Sequence, residues 1–213
     1  MLAAIRRNLR RWLVDGGSPV SVARRLRQRR WNLFVERCRP SPHEPLLDVG
    51  GLPHDAFAGF WSGRIVRVNL QRHRAPRPSD RAVVADVRAL PFRDGAFPVL
   101  FCNSLLEHVG PWSDQQQAAR EIQRVARRYF VQVPDKHTPI EPHYLLPCFQ
   151  FLPERWQRWA HRCLPISAIP RDGFLKIWLL TAKELQRLFP DARIVRERVL
   201  GLPKSCYAVR DRG

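Results

Sequence analysis

Several side chains in the middle of this 213-residue chain have the types and spacing that recognise a polar ligand and move a proton. Asp86 follows the apolar run 82–85, where a carboxylate can accept from an amine donor. Asn69 sits in the alternating run 64–70, and its amide offers an acceptor and donors to a hydroxyl. Asp48 is followed by Val49, Gly50 and Gly51, and glycines behind a strand let backbone approach a ligand closely. Asn103 and Ser104 close a further apolar run, with Glu107-His108 after them. Downstream, the stretch 138–147 holds Glu141, His143 and Tyr144. His143, with an ordinary pKa of about 6.5, has the chemistry of a general base. Glu141 could orient it and Tyr144 could face an acceptor. Each feature also has a plainer reading: a tight turn, a capped strand end, a solvent-facing Asp, a proline-stiffened lid.

Apolar periodicity supplies the elements that must position these groups. Short runs at 45–50, 64–70, 82–85, 98–102 and 129–133 read as strands, the first bounded by Pro and Gly as a buried parallel strand is. Ser113 and Gln116 resemble a capping box opening a helix through Arg127, with Ala118, Ile122 and Val125 on its buried stripe. Thr181 and Glu184 repeat that pattern. Strands at 192–199 and 205–209 finish the chain, and the four residues 201–204 are too short for a crossover helix, so this pair is antiparallel. Phe149, Phe151, Leu152, Trp156, Trp159 and Leu164 alternate with Arg155, Arg158 and Arg162. Aromatics at helical period favour packing over an interfacial role. Leu2, Ile5, Leu9 and Leu13 predict a basic amphipathic helix, and a second helix runs from Ser18-Pro19 to about Cys38. Arg39-Pro40-Ser41-Pro42 is the candidate linker, dividing a basic helical extension (1–40) from a catalytic domain (41–213) with a lid insertion at about 138–180.

Composition bounds the classes available. Hydrophobic content of 45% supports a folded core, and no apolar run reaches the ~18 residues of a membrane span. Arginines at 6, 7, 10 and 11 interrupt any signal-peptide core, so a cytoplasmic protein, peripheral at the membrane at most, is expected. Five cysteines without a C-x-x-C pair argue against a disulfide framework or a zinc cluster. The net charge of +18 is uneven: residues 1–40 hold eleven arginines against Asp15 and Glu36, a net of +9. Such a segment suits an anionic membrane surface or nucleic acid, although only four lysines among 37 basic residues also fits an arginine-rich coding bias.

From residue 45 to about 210 the chain resembles the class I S-adenosylmethionine-dependent methyltransferases, especially the broad small-molecule, type 11-like kind. The resemblance is carried by residues 85–109, by Glu121-Ile122-Gln123-Arg124-Val125, similar to the family's E-x-x-R-V helix, and by the final antiparallel strands. It implies a Rossmann-like α/β fold: a seven-stranded, mostly parallel sheet with an antiparallel final strand and helices on both faces. It implies S-adenosylmethionine as cofactor. In the family's D-x-G-x-G-x-G pattern Asp48 and Gly50 match, Gly51 takes the variable place, and the next two glycine positions carry Leu52 and His54. Asn69 stands where the family usually places the acid that holds the ribose hydroxyls. Asp86 matches the residue that bonds the adenine amine, with the Val87 N–H beside it, and Asn103 and Ser104 fall beside the methionine part. Ubiquinone-type O-methyltransferases bind a divalent metal through E-x-x-E-H; here Ser104 replaces the first Glu, and no metal is expected.

The function implied is methyl transfer to a small-molecule or lipid- or glycan-linked acceptor, O- or N-directed, with His143 as catalytic base. The competing readings are an RNA methyltransferase clamped by residues 1–40, disfavoured by the absence of an N-P-P-Y-like segment after the fourth strand, and a non-catalytic protein that keeps the fold.

Overall fold

A computed structural model describes residues 22–51, 61–75, 77–163, 169 and 173–211. The amphipathic helix expected over residues 2–13, and Leu52 and His54, lie outside the described residues.

After helix α1 (Val22–Cys38), four strands follow in parallel: β1 (Leu46–Val49), β2 (Ile65–Asn69), β3 (Arg81–Val84) and β4 (Phe97–Asn103). A single turn α2 (Leu106–Val109) and helix α3 (Trp112–Val125) lead into β5 (Ala126–Pro134), parallel to β4. An excursion holds the small hairpin β6 (Ile140–Glu141) and β7 (Leu146–Pro147), a 3-10 turn at Phe149–Phe151, and helix α4 (Glu154–Cys163). Helix α5 (Ala182–Leu188) returns the chain to β8 (Arg193–Val199) and β9 (Leu202–Arg210). The seven-stranded sheet has the order β3-β2-β1-β4-β5-β9-β8, with β9 antiparallel to both neighbours. Only Leu200 and Gly201 join β8 to β9, both at positive φ (51° and 78°), the twist that a two-residue hairpin requires. The hairpin is therefore tighter than the four-residue separation the sequence suggests.

Strand periodicity of two divides the apolar side chains between the sheet's faces. Leu47, Leu100, Cys102 and Val131 join Ala118, Ile122, Val125, Leu185 and Leu188 from α3 and α5. Their neighbours Leu46, Val99, Phe101 and Phe130 join Trp31, Phe34 and Cys38 from α1 on the other. Helix α1 thus supplies one face of the core although it lies in the basic N-terminal segment. Its Arg30 reaches the carboxyl ends of β4, β5 and β8 and the amino-terminal half of the antiparallel β9, bonding Asn103 (β4), Gln132 (β5) and Ser205 (β9) at 3.3–3.4 Å and lying 3.7 Å from Glu197 (β8).

Two local expectations fail. Helix α3 begins at Trp112 after Pro111 with no side-chain cap, so Ser113 and Gln116 form no capping box. Gln115 is buried instead and donates to the Leu106 and Trp178 carbonyls, because tertiary partners outcompete a local cap. Trp156 and Trp159 are not core: about half of each is exposed on α4. The Thr181–Glu184 capping box does form.

Candidate active site

The sheet's carboxyl edge carries the site. Asp48, at the end of β1, is buried beneath Gly51 and pairs with Arg67 Nε at 3.3 Å. A Cβ on Gly51 would lie 2.0 Å from Asp48 Oδ2, so any side chain here must displace that carboxylate. Gly50 has φ +83°, a left-handed value natural to glycine, and its N–H donates to the Val68 carbonyl at 2.8 Å. The signature's acid and glycines therefore build one rigid turn.

Beyond that turn lies a cleft of about 120 Å³ with Gly50, Asn69, Asp86 and Val87 in its lining, walled by Val49, Val68 and Leu105. Asn69 and Gly51 also border a neighbouring cleft of about 400 Å³. The cleft thus has an apolar floor with the Asn69 amide, whose Oδ1 accepts from the Gln71 N–H at 3.3 Å, at one point and the Asp86 carboxylate at another. Asp86 is clamped by Arg88, Nη2–Oδ2 at 2.6 Å, and that hydrogen bond holds its carboxyl below the ordinary range despite partial burial. Arg88 also bonds Asp114 at 3.0 Å, so an amine donor must share Asp86 with this guanidinium. The Glu121–Arg124 motif fixes the loop beneath: Glu121 accepts from the Leu90 N–H, and Arg124 donates to the Leu90 and Phe92 carbonyls and to Asp94.

Asn103 and Ser104 lie outside this lining. Asn103 Oδ1 accepts from Arg30, and the Ser104 hydroxyl donates to Gln132 Oε1 at 2.7 Å. Asn103 falls in the register of Phe101, which faces α1 rather than the cleft.

His108 completes the cleft instead. Its ring packs edge-on against His143, centroids 4.8 Å apart. His143 Nδ1 lies 2.7 Å from Glu141 Oε1, and a carboxylate only accepts, so Nδ1 carries the proton and Nε2 is left to take one. Glu141 Oε2 meanwhile accepts the His143 and Tyr144 N–H groups, which locks the carboxylate and the turn that carries the imidazole. Burial opposes charge on His143, but the bond to Glu141 and the charges of Glu141 and Glu107 outweigh it and raise its pKa. Burial pushes His108 down to about 4, with the charge of His143 adding to it. Glu107 is fully buried with neither carboxylate oxygen hydrogen-bonded, and burial pushes it up to about 7. Tyr144 faces no acceptor: its hydroxyl is tied to the backbone of Leu175, and its ring packs in the lid's own small core with Phe149 and Ala160.

Glu107, His108 and His143 each offer one ligand atom, all within 4.8 Å of one another. Two ligands on opposite sides of a first-row cation stand only ~4.2 Å apart, twice a ~2.1 Å bond. The 4.8 Å span of the three atoms is close to this, so the cluster has the spacing of a metal site as well as of an acid–base group. In the sequence, only the adjacency of Glu107 and His108 signals this cluster; His143 joins them through the fold.

Residues 52–129 match the model of a methyltransferase domain. No curated protein sequence matches the chain. Among solved structures, it is similar to a SAM-dependent methyltransferase of Methanosarcina mazei, with TM-score 0.55 and 12% identity over 83% of this chain and 94% of that one. The geranyl diphosphate C-methyltransferase of Streptomyces coelicolor A3(2), solved with Mg2+, geranyl diphosphate and S-adenosyl-L-homocysteine, gives 0.58 and 14% over 89% and 80%. The 1,6-didemethyltoxoflavin-N1-methyltransferase of Burkholderia thailandensis, solved with 1,6-didemethyltoxoflavin and S-adenosylhomocysteine, gives 0.56 and 17% over 98% and 88%. Identities this low speak for the fold, and the domain match speaks for the chemistry the fold carries. Sheet order and solved neighbours together show the fold of the class I S-adenosylmethionine-dependent methyltransferases, and residues 52–129 of it match a methyltransferase domain.

Proposed function

We propose that the protein methylates a hydroxyl or amine of a small or lipid-linked acceptor, with His143 as the general base. The supporting observation is that His108 lines the cleft while its ring packs edge-on against His143 of the lid, which brings that imidazole beside the cleft. Gly50, Gly51, Asn69, Asp86 and the Val87 N–H would hold S-adenosylmethionine, with Asp48 bracing the glycine turn from below. When bound, the cofactor supplies an activated methyl carbon, and alignment of the acceptor is the protein's main task. A hydroxyl acceptor gains most from His143, because proton removal strengthens its oxygen as a nucleophile. Asn103 and Ser104 take an indirect part in this reading: through Arg30 and Gln132 they fix the end of β4, from which α2 carries His108 into the cleft.

The neighbours' acceptors, a prenyl diphosphate and a heteroaromatic nitrogen, are small molecules and favour that class. An RNA acceptor is less well supported, since Arg30 of the basic segment is spent inside the fold on Asn103, Gln132 and Ser205. Calorimetric titration of S-adenosylmethionine should give saturable binding that Asp86→Ala weakens about tenfold or more, the scale of a lost charge-assisted hydrogen bond. No binding to the wild type, with the variant indistinguishable from it, would falsify the reading. Transfer of labelled methyl to product separates an enzyme from a protein that keeps the fold without turnover.

A further inference from the structure

The lid presents an apolar face to solvent that its own contacts leave uncovered. Trp156 is 49% and Trp159 57% exposed, and Phe151 and Leu152 beside them are exposed too. The helix is nevertheless anchored. Its opposite side buries Ala160 and His161, the latter bonded to the Gly173 carbonyl at 2.7 Å, and Arg158 lies over the Phe174 ring at 4.3 Å. The tryptophans are therefore held outward by packing, not released by fraying.

Two further observations say what this face meets. Leu200, 96% exposed, and Leu202 form the tip of the β8–β9 hairpin. That tip leaves the sheet from its carboxyl edge, as the lid does: β9 pairs Ser205 with Pro134, the last residue of β5 before the lid. Charge is the second. Arg155 and Arg162 flank the tryptophans in the open, while the helix's one acid, Glu154, is neutralised by Arg158 at 2.7 Å and Lys176 at 3.0 Å. The whole chain carries +18. Indole rings with an apolar body and a polar N–H, set between arginines, suit the headgroup–acyl boundary of an anionic bilayer.

We propose that the outer face of the lid, centred on Trp156 and Trp159, docks onto an anionic lipid surface with Arg155 and Arg162 meeting its headgroups. The docked edge is the one from which the lid and its His143 project, so an amphiphilic acceptor would reach the site from the bilayer. In its choice of acceptor the inference rests on the methyltransferase reading; in its surface chemistry it does not.

The test is sedimentation of the full chain with vesicles of equimolar phosphatidylcholine and phosphatidylglycerol, against phosphatidylcholine alone. The wild type should sediment with the anionic vesicles and lose binding as salt rises. Trp156→Ser with Trp159→Ser should weaken partitioning at least tenfold, and Arg155→Gln with Arg162→Gln about thirtyfold, at ~1 kcal/mol for each arginine near the surface. Both variants should bind S-adenosylmethionine as the wild type does, which controls for folding. Removing residues 1–17 should leave most of the vesicle binding. Absence of wild-type binding overturns the proposal, as does a Trp variant that sediments normally, or loss on removing residues 1–17 alone. Self-association through this face without vesicle binding, seen by ultracentrifugation, overturns it too. Cofactor binding and turnover on a soluble acceptor need no vesicles, so failure of the two readings is distinguishable.

Discussion

Asp86, in the cleft lining, and Glu107, buried behind His108, are carboxylates held in opposite ways. Asp86, partly exposed, is gripped by Arg88 and held ionised, its pKa below the ordinary range. Glu107, fully buried and without a hydrogen-bond partner, is pushed up to about 7 and shares its surroundings with two imidazoles. An ionised, clamped carboxylate is a fixed acceptor, suited to recognition. A buried one near neutrality, beside a histidine whose pKa is raised, is suited to storing and passing protons. In the proposed function, recognition and proton chemistry would thus be separated along one sheet edge, by β3 and its following turn on one side and by α2 with the lid on the other.

The sharpest break in that division is at the proton-handling end. His143→Gln should lower kcat by about 10²–10⁴ while leaving S-adenosylmethionine affinity unchanged. In the wild type activity should rise with pH through a pKa above 6.5, since His143 acts only when unprotonated and its pKa is raised. Glu141→Gln should shift that limb to lower pH, because the hydrogen bond to a carboxylate is what lifts it. A His143 variant that loses cofactor affinity rather than turnover would erase the distinction.

At the recognition end, Gly51→Ala should destabilise by about 3 kcal/mol, the scale of disrupting a buried ion pair, because its Cβ would displace the Asp48 carboxylate from beneath the turn and from Arg67. Thermal unfolding with and without S-adenosylmethionine measures both the loss and any weakened binding. An unchanged melting temperature with ordinary affinity would show that the turn is not rigid.

The last effect is read across pH and concerns Glu107. Its folded pKa of about 7 exceeds the ordinary 4.5, so the folded chain binds this proton more tightly than the unfolded one. The favourable contribution is complete below about 4.5 and is lost as pH rises through about 7, amounting to ~3 kcal/mol across the window. His143, also raised, acts in the same direction above 6.5, and His108, lowered to about 4, opposes both below 6.5. Glu107→Met removes the carboxyl term, so its stability relative to wild type should climb between pH 4.5 and 7. A flat difference in denaturant midpoints across that range would mean Glu107 is ionised and paired.

Much of the frame was legible because it follows local periodicity. The strands stand where apolar runs placed them to within a few residues, and Thr181–Glu184 capped its helix because both partners lie within one turn. Glu121 and Arg124 were recognised as a motif, and the fold shows what they hold: the loop from Leu90 to Asp94. Where the reading failed, a tertiary partner decided. Trp156 and Trp159 have the spacing of a buried stripe, but spacing fixes only which residues share a helix face, not which face the fold covers. Tyr144 carries a reactive hydroxyl that the lid consumes in its own packing.

From the chain alone come the alternation that makes a doubly covered parallel sheet, the glycines that force the turn after β1, the acidic residue after β3 and the short link that makes the last strands antiparallel. These depend on neighbours a few residues apart, whose geometry the backbone dictates. Tertiary structure alone brought His143 to His108 and Glu107, turned Asn103 toward Arg30, and left two tryptophans facing outward. Those outcomes depend on residues some 35 to 75 positions apart, and only packing of the lid and α1 against the sheet determines which of them meet.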